Sequence, residues 1–273
     1  MMTKTILVTG STDGIGFETA KMLVAQGHNL LIHGRNPQKL ADVQQALEAL
    51  SGEGTIESYA ADLSSLADVE ALAAAVKAKH SHLDVLINNA GVYNVPSVTT
   101  KDNLDVRFVV NTIAPYLLTQ RLLSLFDASG RIVNLSSAAQ APVNLNALVS
   151  ADANAADGAV YAQTKLAITM WSVDLAAKLQ GRGPLVVAVN PASFLASKMV
   201  KEAYGVAGND LSIGADILCR AALSDEFAEA SGKYFDNDSG RFAPPHSDAM
   251  NASQNQQVVA AIEAVLAEKL GAE

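Results

Sequence analysis

Cysteine is all but missing from this chain. The single thiol, Cys219, leaves no partner for an intrachain disulfide and too few ligands for a thiolate metal cluster, which fits a reducing compartment. Charge is scarce as well. Only 17% of the 273 residues are Asp, Glu, Lys or Arg, and 19 basic side chains face 28 acidic ones, a net charge of -9 that repels phosphate backbones and anionic membrane surfaces. Neither nucleic acid nor a membrane is therefore expected as a partner. No apolar run approaches the roughly 20 residues of a membrane-spanning helix, and Met1-Met2-Thr3-Lys4 opens without the cleavage pattern of a secretory leader. A cytoplasmic location is the expectation. Repeats, low-complexity tracts and linkers are missing too, and with 49% apolar residues the chain suits one large α/β domain over residues 1–273.

What is present is a regular alternation. Short apolar runs at 5–8, 29–33, 55–60, 83–88, 131–135, 185–190 and 232–236 are separated by segments with apolar residues three and four apart, at 15–26, 37–50, 66–80, 102–126, 159–180 and 212–223. Strand and helix in turn predict βαβ units, hence a doubly wound parallel sheet of about seven strands with helices on both faces. After Pro244-Pro245, residues 248–271 predict a last helix whose Val258, Val259, Ile262, Val265, Leu266 and Leu270 share one packing face. Residues 138–158, rich in Ala, Asn and Asp and devoid of Lys and Arg, form the one irregular stretch, and with 191–210 they are expected to shape a substrate site.

The first strand runs into Thr9-Gly10-Ser11-Thr12-Asp13-Gly14-Ile15-Gly16 and then into the first helix. In a Rossmann fold this is where free helix N–H groups meet a pyrophosphate: Gly10 permits the tight turn, Gly14 close approach of the backbone, and Gly16 close packing of helix on strand. About 20 residues on, where a carboxylate would hold the ribose of NAD, the chain reads His33-Gly34-Arg35-Asn36. A guanidinium pairs with a ribose 2'-phosphate that a carboxylate would repel, so NADP(H) is favoured over NAD(H), with a solvated surface arginine as the plain alternative. Asp13 occupies a turn position where a second basic residue would have helped.

Together with that turn, Asn88-Asn89-Ala90-Gly91, Ser136-Ser137 and Tyr161-Ala162-Gln163-Thr164-Lys165, in this order, resemble the short-chain dehydrogenase/reductase family over most of the chain. The spacing from Ser137 to Tyr161 and the 232–235 strand look most like its retinol-dehydrogenase-like branch. The resemblance implies a nicotinamide-dependent interconversion of a carbonyl and an alcohol, with a small-molecule substrate and, for assembly, a homo-oligomer. Residues four apart share a helical face, so Lys165 can hold its ammonium near the Tyr161 phenol and favour phenolate. Tyr161 would then exchange the proton with the substrate oxygen while Ser137 stabilises the charge there, with Ser136 as its understudy.

The resemblance further implies that Lys165 and Tyr161 touch the nicotinamide ribose and that Asn111 completes a proton relay through water, although Asn111 also reads as an ordinary helix residue. Ser11, Thr12, Ile15, Arg35 and Asn36 join the glycines on the phosphate and ribose side. Asp62 and Leu63 are placed at the adenine, an N-cap being the alternative for Asp62. Asn88, Asn89, Ala90 and Gly91 line the adenosine, and Pro191 and Ser193 the nicotinamide. One departure stands out: where the family often has Pro-Gly and then Thr, this chain has Pro191-Ala192-Ser193 and Ser197, and Ala192 restricts a backbone that glycine would free. Val92, Tyr93, Val95, Pro96, Phe194, Leu195, Met199 and Tyr204 are expected around an apolar substrate, with Lys198 and Lys201 as the nearby cations. The five histidines show no metal-ligand spacing and no metal is assigned. A silent nicotinamide-binding sensor is the other reading of such a fold, one that commonly loses Tyr, Lys or Ser.

Overall fold

Strands buried on both faces have no polar alternation, and the run Thr5-Ile6-Leu7-Val8 shows it: Ile6, Leu7 and Val8 are fully buried. In the computed structural model, which describes residues 2–50, 52–196, 200–201, 205 and 207–271, β1 (Thr5–Val8) leads through α1 (Gly14–Ala25) to β2 (Asn29–Gly34) and through α2 (Pro37–Glu48) to β3 (Ile56–Ala60). The chain continues with α3 (Leu66–Lys79), β4 (Val85–Asn88), a short α4 (Val106–Phe108), α5 (Ala114–Leu122), β5 (Arg131–Leu135), α6 (Leu145–Val149), α7 (Asp157–Leu179), β6 (Leu185–Asn190), α8 (Leu211–Leu223), β7 (Tyr234–Asp236), β8 (Arg241–Ala243) and α9 (Ala252–Leu270). The sheet order is β3-β2-β1-β4-β5-β6-β7-β8, parallel throughout except for the antiparallel β7-β8 pair. Strand order reverses at β1, between β2 and β4, which opens a crevice at the carboxyl ends of these strands.

This is the doubly wound α/β fold expected, with an eighth strand in place of about seven. Three residues behind the Gly240 turn are too few to display a period, so β8 had no legible signal. The segment expected as one long helix at 102–126 is interrupted. Pro115 cannot donate to the carbonyl four residues back, at Asn111. The ladder shifts by one residue there, giving a π-helical turn at Val109–Ile113 in which the Ala114 N–H bonds to Val109. The loop at 138–158 also holds α6, started by Asn144, whose side chain accepts from the Asn146 N–H. Helices α1, α2 and α8 bury one face of the sheet; α3, α5, α7 and α9 cover the other, with Val258, Val259, Ile262 and Val265 of α9 in that core as expected. Among the described residues no helix is long and apolar enough to cross a membrane.

Candidate active site

The glycine turn lies at the switch point and has left-handed backbone at Gly10 (φ +63°) and Gly14 (φ +53°). A Cβ on Gly10 would come 2.8 Å from the Ala90 Cα, and one on Gly16 would strike the Gly10 carbonyl, so turn, helix and the 88–91 segment close on one another only without side chains. Asp13 caps α1, its carboxylate accepting from the Gly14 N–H and pairing with Lys39 at 2.6 Å.

Two residues that spacing alone had not connected to the turn hold it. The buried His33 ring accepts the Gly10 N–H on Nδ1 at 3.1 Å, which leaves Nε2 to carry the proton and donate to the Ala61 carbonyl at 3.1 Å. Burial, the main cause, pushes its pKa down to about 4, so the ring is neutral in the fold. Ser11 and His33 also pair reciprocally, Ser11 Oγ accepting from the His33 N–H and donating to its carbonyl. Asn89 donates to the Thr9 and Gly10 carbonyls at 2.9 and 3.0 Å, while Thr9 Oγ1 accepts from the Asn89 and Ala90 N–H groups. Asn88 turns the other way. It is buried and donates to Thr119 and Asn134, so it serves the interior beneath the crevice and does not line the adenosine.

Just after β2 Arg35 is exposed. Gly34 is pressed beneath Thr12, whose Cγ2 lies 2.5 Å from the position of a Cβ on Gly34. The Asn36 carbonyl oxygen of the side chain caps α2 by accepting from the Lys39 N–H. Asp62 closes a turn onto the Ser64 N–H and hydroxyl, and Ser65 is the N-cap of α3, so the N-cap alternative for Asp62 does not hold. Leu63 is buried in the core.

Just beyond β5 the sheet pleat separates the two serines. Ser136 is buried, its hydroxyl donating to the Lys165 carbonyl and sharing a hydrogen bond with Thr169; Ser137 is half-buried at the end of β5, its Oγ accepting from the Ala139 N–H. The Ser137 carbonyl is fixed by the Tyr234 hydroxyl, from a distant strand, and by the nearby Gln140 amide, each at 3.0 Å. Lys165 is buried under Tyr161, with Nζ 5.5 Å from the ring centroid, and donates to the Leu135 carbonyl at 2.7 Å. Desolvation pushes its pKa down to about 8. Gly91 adjoins it: a Cβ there would lie 3.7 Å from Lys165 Nζ and 3.4 Å from Asn111 Oδ1.

The Asn111 amide clamps Val92 through both its N–H and its carbonyl, each at 2.8 Å, and donates to Thr164 Oγ1 at 3.0 Å. The Tyr93 ring packs on Tyr161, centroids 5.1 Å apart, over Gly158, where a Cβ would meet the Tyr93 hydroxyl at 2.7 Å. Ahead of Tyr161, the fully buried Arg107 joins Asp105 through two hydrogen bonds and Asp157, the first residue of α7, at 2.6 Å. Beyond β6, Pro191 is buried, and both donors of Ser193, N–H and hydroxyl, go to Asp238. Leu195 is buried and Phe194 exposed, whereas Ser197, Lys198, Met199 and Tyr204 lie outside the described residues.

Residues 4–206 match the family described as short chain dehydrogenase. Human retinol dehydrogenase 13 is 32% identical over 253 residues, 85% of this chain and 76% of the relative, and human polyprenol dehydrogenase is 32% identical over 252 residues, with the same coverage of each. The solved Pseudomonas aeruginosa RhlG/NADP active-site complex superposes with a TM-score of 0.68 at 25% identity, covering 85% of this chain and 94% of that one.

Proposed function

This chain belongs to the short-chain dehydrogenase family, in its retinol-dehydrogenase-like branch, and is thus an oxidoreductase; from that premise we propose that it interconverts an uncharged, largely apolar carbonyl compound and its alcohol with NADP(H), using Tyr161, Lys165 and Ser137. The observation that carries this reading is Lys165: a buried cation with no carboxylate beside it among the described residues, tethered to the Leu135 carbonyl and set under the Tyr161 ring. Burying a charge in that way is costly and is tolerated where the charge has work to do.

The cofactor's fit rests on the turn. Its glycines leave the α1 N-terminus open to a pyrophosphate, and the first-turn N–H groups of any helix lack intrahelical acceptors. Exposed Arg35 is available to a 2'-phosphate, and Lys39 offsets the one carboxylate in the turn, Asp13. When bound, the nicotinamide supplies or accepts the hydride. In reduction Tyr161 delivers the proton to the carbonyl oxygen, and in oxidation it removes the hydroxyl proton. Lys165, at neutral pH a cation, favours the phenolate that results, and Ser137 donates a hydrogen bond to the same oxygen. By the family resemblance Asn111, its side-chain amide engaged with Val92 and Thr164, would complete the proton path through water.

Tyr93 over Tyr161 and exposed Phe194 support an apolar substrate, with Lys201 the one described cation in residues 191–210. The test is a panel of aldehydes, ketones and alcohols, some carboxylated or phosphorylated, assayed with both nicotinamide cofactors. Turnover of uncharged compounds with NADPH or NADP+ is expected. Preference for an anionic compound, or for NADH, would overturn that part of the reading.

A further inference from the structure

The chain after β6 is bent into a shape its residues resist. Ala192 has φ +120° and Phe194 φ +53°, two side-chain-bearing residues in left-handed backbone within three positions, and such conformations persist only where the surroundings impose them. The surroundings here are the β7-β8 turn, Asp236-Asn237-Asp238-Ser239-Gly240. One carboxylate does most of the holding: Asp238 accepts from the Ser193 N–H at 2.8 Å, from the Ser193 hydroxyl at 2.6 Å and from the Asn190 amide at 2.9 Å. Asn237 adds a bond to the Pro191 carbonyl at 3.0 Å, and its own N–H reaches the Asn190 carbonyl at 3.1 Å. From the opposite side Asn209 donates to the Phe194 carbonyl and accepts from the Ala196 N–H.

This strap leans on the phosphate turn. Buried Leu195 packs against Gly214 of α8 at the point that the Ile15 side chain also reaches, so the strap and the first turn of α1 meet on α8. We propose that Asp238 is a positioning residue: by tying down both donors of Ser193, it holds the strap in the strained form that covers the nicotinamide half of the cofactor. This rests on the reading that the cofactor lies on the Gly10 to Gly16 turn. A loop released from Asp238 relaxes at Ala192, and the cofactor then has to restore the strained form at the expense of its own affinity.

The strain makes the claim testable by coupling. Glycine adopts the backbone of residue 192 freely, so Ala192→Gly relieves one of the two strained positions and lessens the need for a clamp. NADPH affinity is measured by fluorescence titration for wild type, Asp238→Ala, Ala192→Gly and the double variant, with thermal unfolding to confirm that each is folded. Three charge-assisted hydrogen bonds are lost, two of them from Ser193, so Asp238→Ala should raise Kd about tenfold, whereas in the Ala192→Gly background the same change should raise it about threefold or less. KM for the cofactor should move more than kcat, and the Ser193 amide of the cofactor-free protein should exchange with solvent faster once Asp238 is gone. Asp238→Asn, which keeps one acceptor for the Ser193 N–H, should fall between, and stands in if the alanine variant fails to fold. An unchanged Kd in a folded variant, or the same factor in both backgrounds, would overturn the proposal. Failure of the wild type to bind either cofactor would instead remove the functional reading, and Ser193 amide exchange would still decide whether Asp238 holds the strap.

Discussion

Acidification should loosen the phosphate turn through one side chain. His33 is buried with both ring nitrogens engaged, one accepting from Gly10 and the other donating to Ala61, and its pKa lies at about 4 against an ordinary 6.5. Protonation would put a second N–H on Nδ1, donor against donor at Gly10, and a charge in an apolar layer. The folded state therefore binds fewer protons than the unfolded chain between these two values. Stability from this group is fully present above about pH 6.5 and is lost as pH falls toward 4. At about 1.4 kcal/mol per pH unit the whole window is worth about 3 kcal/mol. Urea unfolding from pH 7.5 to 4 of wild type and His33→Gln isolates the effect, because other titrating groups are shared. The advantage of the wild type over the variant should be level above about pH 7 and shrink by most of that amount by pH 4. A difference independent of pH, or a His33 ring proton titrating near 6.5 by NMR, would refute the argument.

Arg35→Ala should weaken NADPH about tenfold to a hundredfold in calorimetric titration and leave NADH nearly unchanged, with the gap narrowing in salt. Gly34→Asp should not simply exchange one cofactor for the other, because its Cβ would meet the Thr12 methyl and disturb the turn; both affinities should fall, NADPH more. Ser137→Ala should lower kcat by about 10²-fold or more with little effect on unfolding, whereas Ser136→Ala, which breaks the buried bonds to Lys165 and Thr169, should cost about 1 to 3 kcal/mol of stability in urea. Arg107→Met leaves the Asp105 carboxylate buried and unpaired and should cost about 3 to 5 kcal/mol by the same measurement.

The βαβ order, the glycine turn and the Tyr161-Lys165 pair were legible because each is a local pattern: a run of apolar residues, a turn that needs glycine, a spacing of four on a helix. The preference for Ser137 over Ser136 came from the family resemblance; what strand geometry adds is that the two neighbours point to opposite sides of the sheet, with Ser136 in the interior. What stayed hidden acts across the sequence. Tyr234 holds the Ser137 carbonyl from 97 residues away, and Asp238 holds Ser193 from 45. His33 looked bland because its partners are backbone atoms of Gly10 and Ala61, which no spacing of side chains announces. Ala192 is the instructive case: its restriction was visible in the sequence as a missing glycine, but the device that imposes its backbone was not.

The role of Tyr161 as proton carrier is most directly tested by turnover of Tyr161→Phe at saturating NADPH and carbonyl substrate, with NADPH affinity measured alongside. The ring and its contact with Tyr93 remain and only the hydroxyl is lost. Turnover should fall by about 10²- to 10⁴-fold while NADPH affinity stays within about twofold; near-normal turnover in a variant that still binds NADPH would contradict the mechanism.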